Sequence, residues 1–124
     1  MELLLADDNP EVRSALRLLL EQDPIPVTVM EISDTQGLFA SLRVDCPVAV
    51  LLDWELPEFH GKDALEVIQS FCPGTKVIAM SSRYEARHEA LKAGADAFIS
   101  KAEPSEMVLT TLYSLIPKLA DRKT

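Results

Sequence analysis

Four places in the chain carry side chains that can act together on a charged group: Asp7 with Asp8, Asp53, Ser81 with Ser82, and Lys101. Each stands where a short apolar run gives out. Leu3–Ala6 leads into the acidic pair, Val48–Leu52 into Asp53, Val77–Met80 into the serines, and Ala97–Ile99 into Ser100 and Lys101. Carboxylates gathered without a counter-ion repel, and one of them then keeps its proton to higher pH. Mg²⁺ would relieve that repulsion. It takes hard oxygen ligands, retains several waters, needs only one or two carboxylates, and draws in phosphoryl oxygens. A carboxylate in such a site can act as nucleophile and form an acyl phosphate. A hydroxyl and an ammonium facing it hold the remaining phosphoryl oxygens. Singly, each residue has a plainer reading: Asp8 and Ser81 as helix caps, Lys101 as a solvated loop cation. That reading must hold separately at every strand except one.

These residues need elements that bring them to one edge. The four apolar runs are short and continuous, the pattern of strands covered on both faces. "VTVMEI" at Val27–Ile32 is more mixed, with Glu31 inside it, and reads as a strand at the sheet edge. Between the strands lie helical patterns. Val12, Ala15, Leu16 and Leu19 follow "DNP", where Asn9 can cap and Pro10 suits the first helical position. Leu65, Ile68 and Cys72 give a second stripe, Ala86, Ala90 and Ala93 a weaker one. Val108, Leu112, Leu115, Ile116 and Leu119 give the last. "DTQGLFASLR" supplies a short helix that Gly37 weakens. The alternation predicts a doubly wound (βα)₅ parallel sheet with right-handed crossovers. In the flavodoxin-like strand order 2-1-3-4-5, ligands bind beyond the carboxyl ends of strands 1 and 3.

Bulk properties narrow the classes. The chain has 124 residues, 48% hydrophobic and 26% charged, enough for one domain with a real core and unlike a disordered segment. A formal charge of −8 argues against unaided nucleic-acid binding. No apolar run approaches the roughly 20 residues of a membrane span, and "MELLLADD" lacks the basic start of a signal peptide. Cys46 and Cys72 each precede a proline without metal-like spacing, which predicts two reduced, structural thiols in a cytoplasmic protein.

The chain resembles the receiver domains of bacterial two-component response regulators. The resemblance rests on "LLLADDN", "LLDWELPEFHG", "VIAMSS" and "AGADAFISK", in that order and over the whole length. It implies that a histidine kinase or histidine phosphotransfer protein phosphorylates Asp53. It implies a Mg²⁺ site formed by Asp7, Asp8, Asp53 and the backbone carbonyl of Glu55. Ser81 would be the switch hydroxyl, with Ser82 as the alternative register, Lys101 the phosphate-binding cation and Phe98 the switch aromatic. Glu55 and Arg83 would flank the path of the hydrolytic water. Ala102 stands where many receivers have proline, which opens the geometry of the Lys101–Ala102 peptide to question.

On this reading residues 1–120 are the receiver and 121–124 a tail or the start of a linker. The domain would control an output domain or a downstream protein through the surface of its fourth helix, fifth strand and fifth helix. A helix-turn-helix transcription regulator is one such output, and a phosphorylation-dependent homodimer is allowed. The domain itself would make no nucleic-acid or membrane contact. Free-standing and excised receivers both remain open. Two other classes compete with this reading. An aspartyl-nucleophile phosphatase would place a second Asp two residues after the first, where this chain has Glu55. A non-catalytic flavodoxin-like interaction module would not need Asp7, Asp8, Asp53 and Lys101 together.

Overall fold

A computed structural model describes residues 1–22 and 25–119. The strands are β1 (Glu2–Ala6), β2 (Thr28–Ile32), β3 (Ala49–Asp53), β4 (Lys76–Ser81) and β5 (Ala97–Ser100). The helices are α1 (Pro10–Gln22), α2 (Thr35–Val44), α3 (Gly61–Phe71), α4 (Ala86–Ala93) and α5 (Glu106–Leu115), with a 3₁₀ turn at Pro117–Leu119. All strand pairs are parallel, in the order β2-β1-β3-β4-β5, so the flavodoxin-like expectation holds. The mixed strand β2 is at the edge, as its composition predicts. The expected tail at 121–124 lies outside the described residues.

Alternation along each strand divides the core in two. Leu4, Ala6, Val50, Leu52, Val77, Ala79 and Phe98 pack on one face with Leu38, Leu42, Leu65, Ile68 and Ala90 of α2, α3 and α4. Leu3, Leu5, Ala49, Leu51, Ile78, Met80 and Ile99 pack on the other with Leu16, Leu20, Val108 and Leu112 of α1 and α5. Burial on both faces explains why these strands read as continuous apolar runs. Two stripes differ from expectation. In α1 the buried positions are Leu16 and Leu20, while Val12 and Leu19 are half-buried and Ala15 is exposed. Helix α5 stops at Leu115, and Ile116 and Leu119 reach the core from the cap and the 3₁₀ turn.

Local signals set the helix starts. Asn9 Oδ1 accepts from the Glu11 N–H at 2.9 Å, in front of Pro10. Helix α2 tolerates Gly37 because Asp34 caps it: Asp34 Oδ1 accepts from the Gly37 N–H at 2.8 Å. Gly94 ends α4 at φ 113°, a left-handed conformation that suits glycine.

The two cysteines correct the thiol expectation. Cys46 and Cys72 are joined as a disulfide across a sequence separation of 26, with Cα atoms 5.5 Å apart. Neither sequence spacing nor the flanking prolines revealed the pairing, because it arises from two loops meeting at the start of adjacent strands. Cys46 lies in the α2–β3 loop and Cys72 caps the end of α3. Beside the disulfide, Thr75 Oγ1 donates to the Pro47 carbonyl at 2.7 Å, and the Lys76 N–H donates to the Val48 carbonyl at 3.2 Å.

Candidate functional site

Strand register alone places the acidic residues. Ala6 pairs with Leu52, so Asp7, the next residue, is level with Asp53 across two adjacent strand ends. Asp53 pairs with Met80 and Ser81 with Ser100, which carries the same edge to Lys101. Carboxylate oxygens of Asp7, Asp8 and Asp53 lie within 4.8 Å of one another. Asp7 and Asp53 are buried and Asp8 is exposed. Lys101 Nζ reaches Asp7 Oδ2 at 2.8 Å and Asp53 Oδ1 at 3.3 Å. Burial pushes the Asp53 carboxyl up to about 6, and the Asp7 charge adds to that. The N–H of Glu55, which donates to Asp53 Oδ1 at 3.0 Å, and the Lys101 ammonium pull the other way. Burial works against the Lys101 charge, but Asp7 and Asp53 outweigh it and hold the ammonium above its ordinary value. The Lys101 ammonium thus pairs with Asp7 and Asp53, and Asp8 completes a cluster of three carboxylates. This all-oxygen, electron-rich cluster fits a hard divalent ion such as Mg²⁺.

Glu55 closes the other side. Ser81, fully buried at the end of β4, donates its hydroxyl to the Glu55 carboxylate, with both oxygens at 3.0 Å. Arg83 donates to the same carboxylate from Nη2 at 3.0 Å, and its backbone N–H donates to Ser81 Oγ at 3.0 Å. Glu55, Ser81 and Arg83 therefore form one connected group. Ser82 is exposed and has no place in it. Phe98 lies in the core face beneath α4, where Ala86 and Ala90 pack. The Lys101–Ala102 peptide is trans, like every described peptide bond. Its loop closes locally: Glu103 Oε1 accepts from the Ser100 N–H at 3.0 Å, and Ser100 Oγ accepts from the Ala102 N–H at 3.2 Å.

Two networks around the site were not legible beforehand. Arg13 Nη1 donates to the Asp7 carbonyl at 2.7 Å, while its Nε donates to Glu31 at 3.0 Å. Arg17 joins from the next turn of α1, donating to Glu31 at 2.6 Å and to the Val29 carbonyl at 2.9 Å. Hydrogen bonds from Arg17 and then Arg13 hold the Glu31 carboxyl below its usual range. Glu31, which marked β2 as an edge strand, thus anchors the arginine that grips the acidic turn. The i, i+4 spacing of Arg13 and Arg17 was the available signal, but their partner is on another element.

The second network leaves from Trp54, next to Asp53. Its indole is buried, and Nε1–H donates to Glu89 on α4 at 3.0 Å. Glu89 also meets His60 Nε2 at 3.2 Å, and His60 Nδ1 accepts from the Lys62 N–H at 3.2 Å to cap α3. Gly61 lies against the ring, and a Cβ there would overlap the indole. Within this loop Glu58 adopts φ 78°, which a non-glycine residue rarely does.

A doubly wound sheet with an aspartate cluster at its switch point and a lysine just past the last strand is the arrangement that the sequence resemblance implied. Residues 3–113 match the response regulator receiver domain family, and the chain belongs to it. Relatives include the Fimbriae Z protein of Salmonella typhimurium, 32% identical over 100 residues, which cover 79% of this chain and 48% of that protein. An uncharacterized transcriptional regulatory protein of Bacillus subtilis, YhcZ, is 35% identical over 115 residues, 89% of this chain and 53% of that protein. A protein-glutamate methylesterase of Geobacter sulfurreducens matches at 31% over 106 residues, 82% of this chain and 29% of that protein. The chain spans about half the length of the transcriptional regulators it matches. Among solved structures, a LuxR-family response regulator from Aurantimonas superposes with TM-score 0.83 at 24% identity, over 98% of this chain and 86% of that one. Response regulator TrrA of Thermotoga maritima, in complex with Mg²⁺-BeF, gives TM-score 0.82 at 18% identity, over 93% and 98% of the two chains. Both support the fold.

Proposed function

We propose that this receiver accepts a phosphoryl group on Asp53 from a histidine kinase or histidine phosphotransfer protein in the cytoplasm. The observation that carries the reading is Lys101 Nζ within 3.3 Å of both Asp7 and Asp53, with Asp8 in the same carboxylate cluster. The Glu55 N–H holds Asp53 Oδ1 in place, which leaves the second oxygen to attack phosphorus. The bond from phosphorus to the donor's imidazole breaks, and an acyl phosphate forms. Asp7, Asp8, Asp53 and the Glu55 carbonyl would hold Mg²⁺, whose charge would neutralise these carboxylates and stabilise the oxygens of the transferring group. Lys101 holds a phosphoryl oxygen as a point charge. Ser81 turns from Glu55 to the phosphoryl group, and Phe98 and α4 carry the change to the α4–β5–α5 surface that an output domain or partner reads. A transcription regulator is the output that relatives described as transcriptional regulators support, and the resemblance suggests one of the helix-turn-helix type.

The test is intact mass after incubation with acetyl phosphate and Mg²⁺. A stable gain of one phosphoryl group, lost in Asp53→Asn, is the expected result. Continuous release of phosphate without a stable adduct would instead favour the phosphatase class, and no change would favour a module without chemistry.

Glu55 and Arg83 form a gate over the acyl phosphate. Both side chains are more than a third exposed, so the pair itself contributes only about 0–1 kcal/mol to stability. A bias in water access of about 1.4 kcal/mol is nonetheless tenfold in rate. Glu55→Ala and Arg83→Ala are each expected to shorten the phosphoryl half-life, and the double variant to be no faster than the faster single. Unchanged half-lives in both single variants, or fully multiplicative effects, would remove the shared gate.

A further inference from the structure

The sulfurs of the Cys46–Cys72 disulfide sit at the pole opposite the acidic cluster, and they do not share one environment. Cys72, the cap of α3, is 1% exposed. Cys46 is exposed and lines a surface cavity of about 400 Å³ together with Glu2, Thr28, Asp45, Val48 and Lys118. We propose that Cys46 is a thiol-exchange site, where a low-molecular-weight thiol or disulfide of the glutathione class opens and closes the cross-link. Access selects Cys46 rather than charge, since the cavity sets two carboxylates, Glu2 and Asp45, against the single ammonium of Lys118 and so offers no positive field to draw a thiolate.

The exchange balances in two steps. A small-molecule thiolate attacks Cys46 Sγ, the Sγ–Sγ bond breaks, and the electron pair leaves on Cys72 Sγ, which takes a proton from solvent. Cys46 then carries a mixed disulfide. A second thiolate attacks the small-molecule sulfur of that bond, releasing the oxidised small-molecule disulfide and leaving both cysteines reduced. Closing by a small-molecule disulfide is the reverse, and Cys72 completes it by attacking Cys46. The neighbouring bonds from Thr75 to Pro47 and from Lys76 to Val48 do not involve sulfur and persist when the cross-link opens. The pole therefore stays folded through the cycle. Because the cross-link joins the segments entering β3 and β4, solvent redox state sets how firmly those two strand starts are held.

The experiment uses the full chain with reduced and oxidised glutathione, followed by intact mass and peptide mapping. Cys72→Ser should acquire one glutathionyl group on Cys46, whereas folded Cys46→Ser should stay unmodified at Cys72. Wild-type protein should expose two titratable thiols on reduction, lose both with oxidised glutathione, and melt at higher temperature when closed. Circular dichroism confirms that each variant is folded, and the alanine variants replace any serine variant that is not. Equal modification of Cys72 in Cys46→Ser would overturn the proposal. So would wild-type thiols that survive oxidised glutathione, or one melting temperature for both redox states.

Discussion

Where the strands finish, the protein crowds Asp7, Asp8 and Asp53 around one lysine and leads on to a loop with Glu58 at φ 78°. Where they begin, it ties Cys46 to Cys72 and backs that bond with a buried hydrogen bond from Thr75 to Pro47. The same sheet thus carries like-charge repulsion and backbone strain at one pole and cross-linking at the other. The proposed function explains the asymmetry. A site that must accept a dianionic group is built from charges that stay unbalanced until the group and its counter-ion arrive, and stability has to come from elsewhere in the fold.

The largest expected effect tests the stabilising pole. Opening a cross-link over a loop of 26 residues removes about 3.5 kcal/mol from stability in the chain-entropy account. Denaturant titration of reduced and oxidised protein measures it. Phosphorylation by acetyl phosphate should proceed in both forms, because the acidic cluster lies at the other end of the strands. Loss of phosphorylation on reduction would break the division between the poles.

Next comes the acidic pole without metal. The folded state raises the Asp53 carboxyl from 3.8 to about 6, so it binds that proton more readily than the unfolded chain does. Above both values the carboxylate costs about 3 kcal/mol of stability. The cost is relieved as pH falls through about 6 and is gone below about 3.8. Asp53→Asn should therefore stabilise the protein in chelator at neutral pH by about 2–3 kcal/mol and flatten this part of the pH dependence. Melting curves of both proteins across that range check the sign. A less stable Asp53→Asn would mean that Lys101 already compensates the cluster.

The smallest effect sharpens the comparison at the β3–α3 loop, where strain and close packing meet. Gly61→Ala would drive a methyl group into the Trp54 indole and should cost roughly 1–3 kcal/mol. The loss should appear in thermal unfolding and as altered Trp54 fluorescence, since the indole must move.

Legibility followed the same division. The edge carrying Asp7, Asp8, Asp53, Ser81 and Lys101 could be read from the sequence because each residue follows an apolar run directly or at one residue's remove, and parallel register aligns the ends of such runs. The capping of α1 by Asn9 was legible for the same local reason, whereas the strand order came with the flavodoxin-like fold that the alternation of strands and helices suggests. The disulfide was not, because Cys46 and Cys72 approach only once α2 and α3 have packed on the sheet. Nor was the grip of Arg13 on the Asp7 carbonyl, which depends on Glu31 from a different strand. Ala15 lies in the apolar stripe of the sequence yet is exposed in α1, where Leu16 and Leu20, four residues apart, are the buried pair.

The contact between Gly61 and Trp54 also constrains how this sequence can change over generations. A side chain at position 61 is harmful while the indole occupies the space, and a smaller residue at 54 alone leaves a cavity. The two positions are therefore epistatic: the fitness of one substitution depends on whether the other came first. Of the two mutational routes to a small residue at 54 and a side chain at 61, the one that starts at 54 crosses a void, and the one that starts at 61 crosses a clash. A void beside a loop can be narrowed by relaxation of its neighbours, so the passable route begins at Trp54.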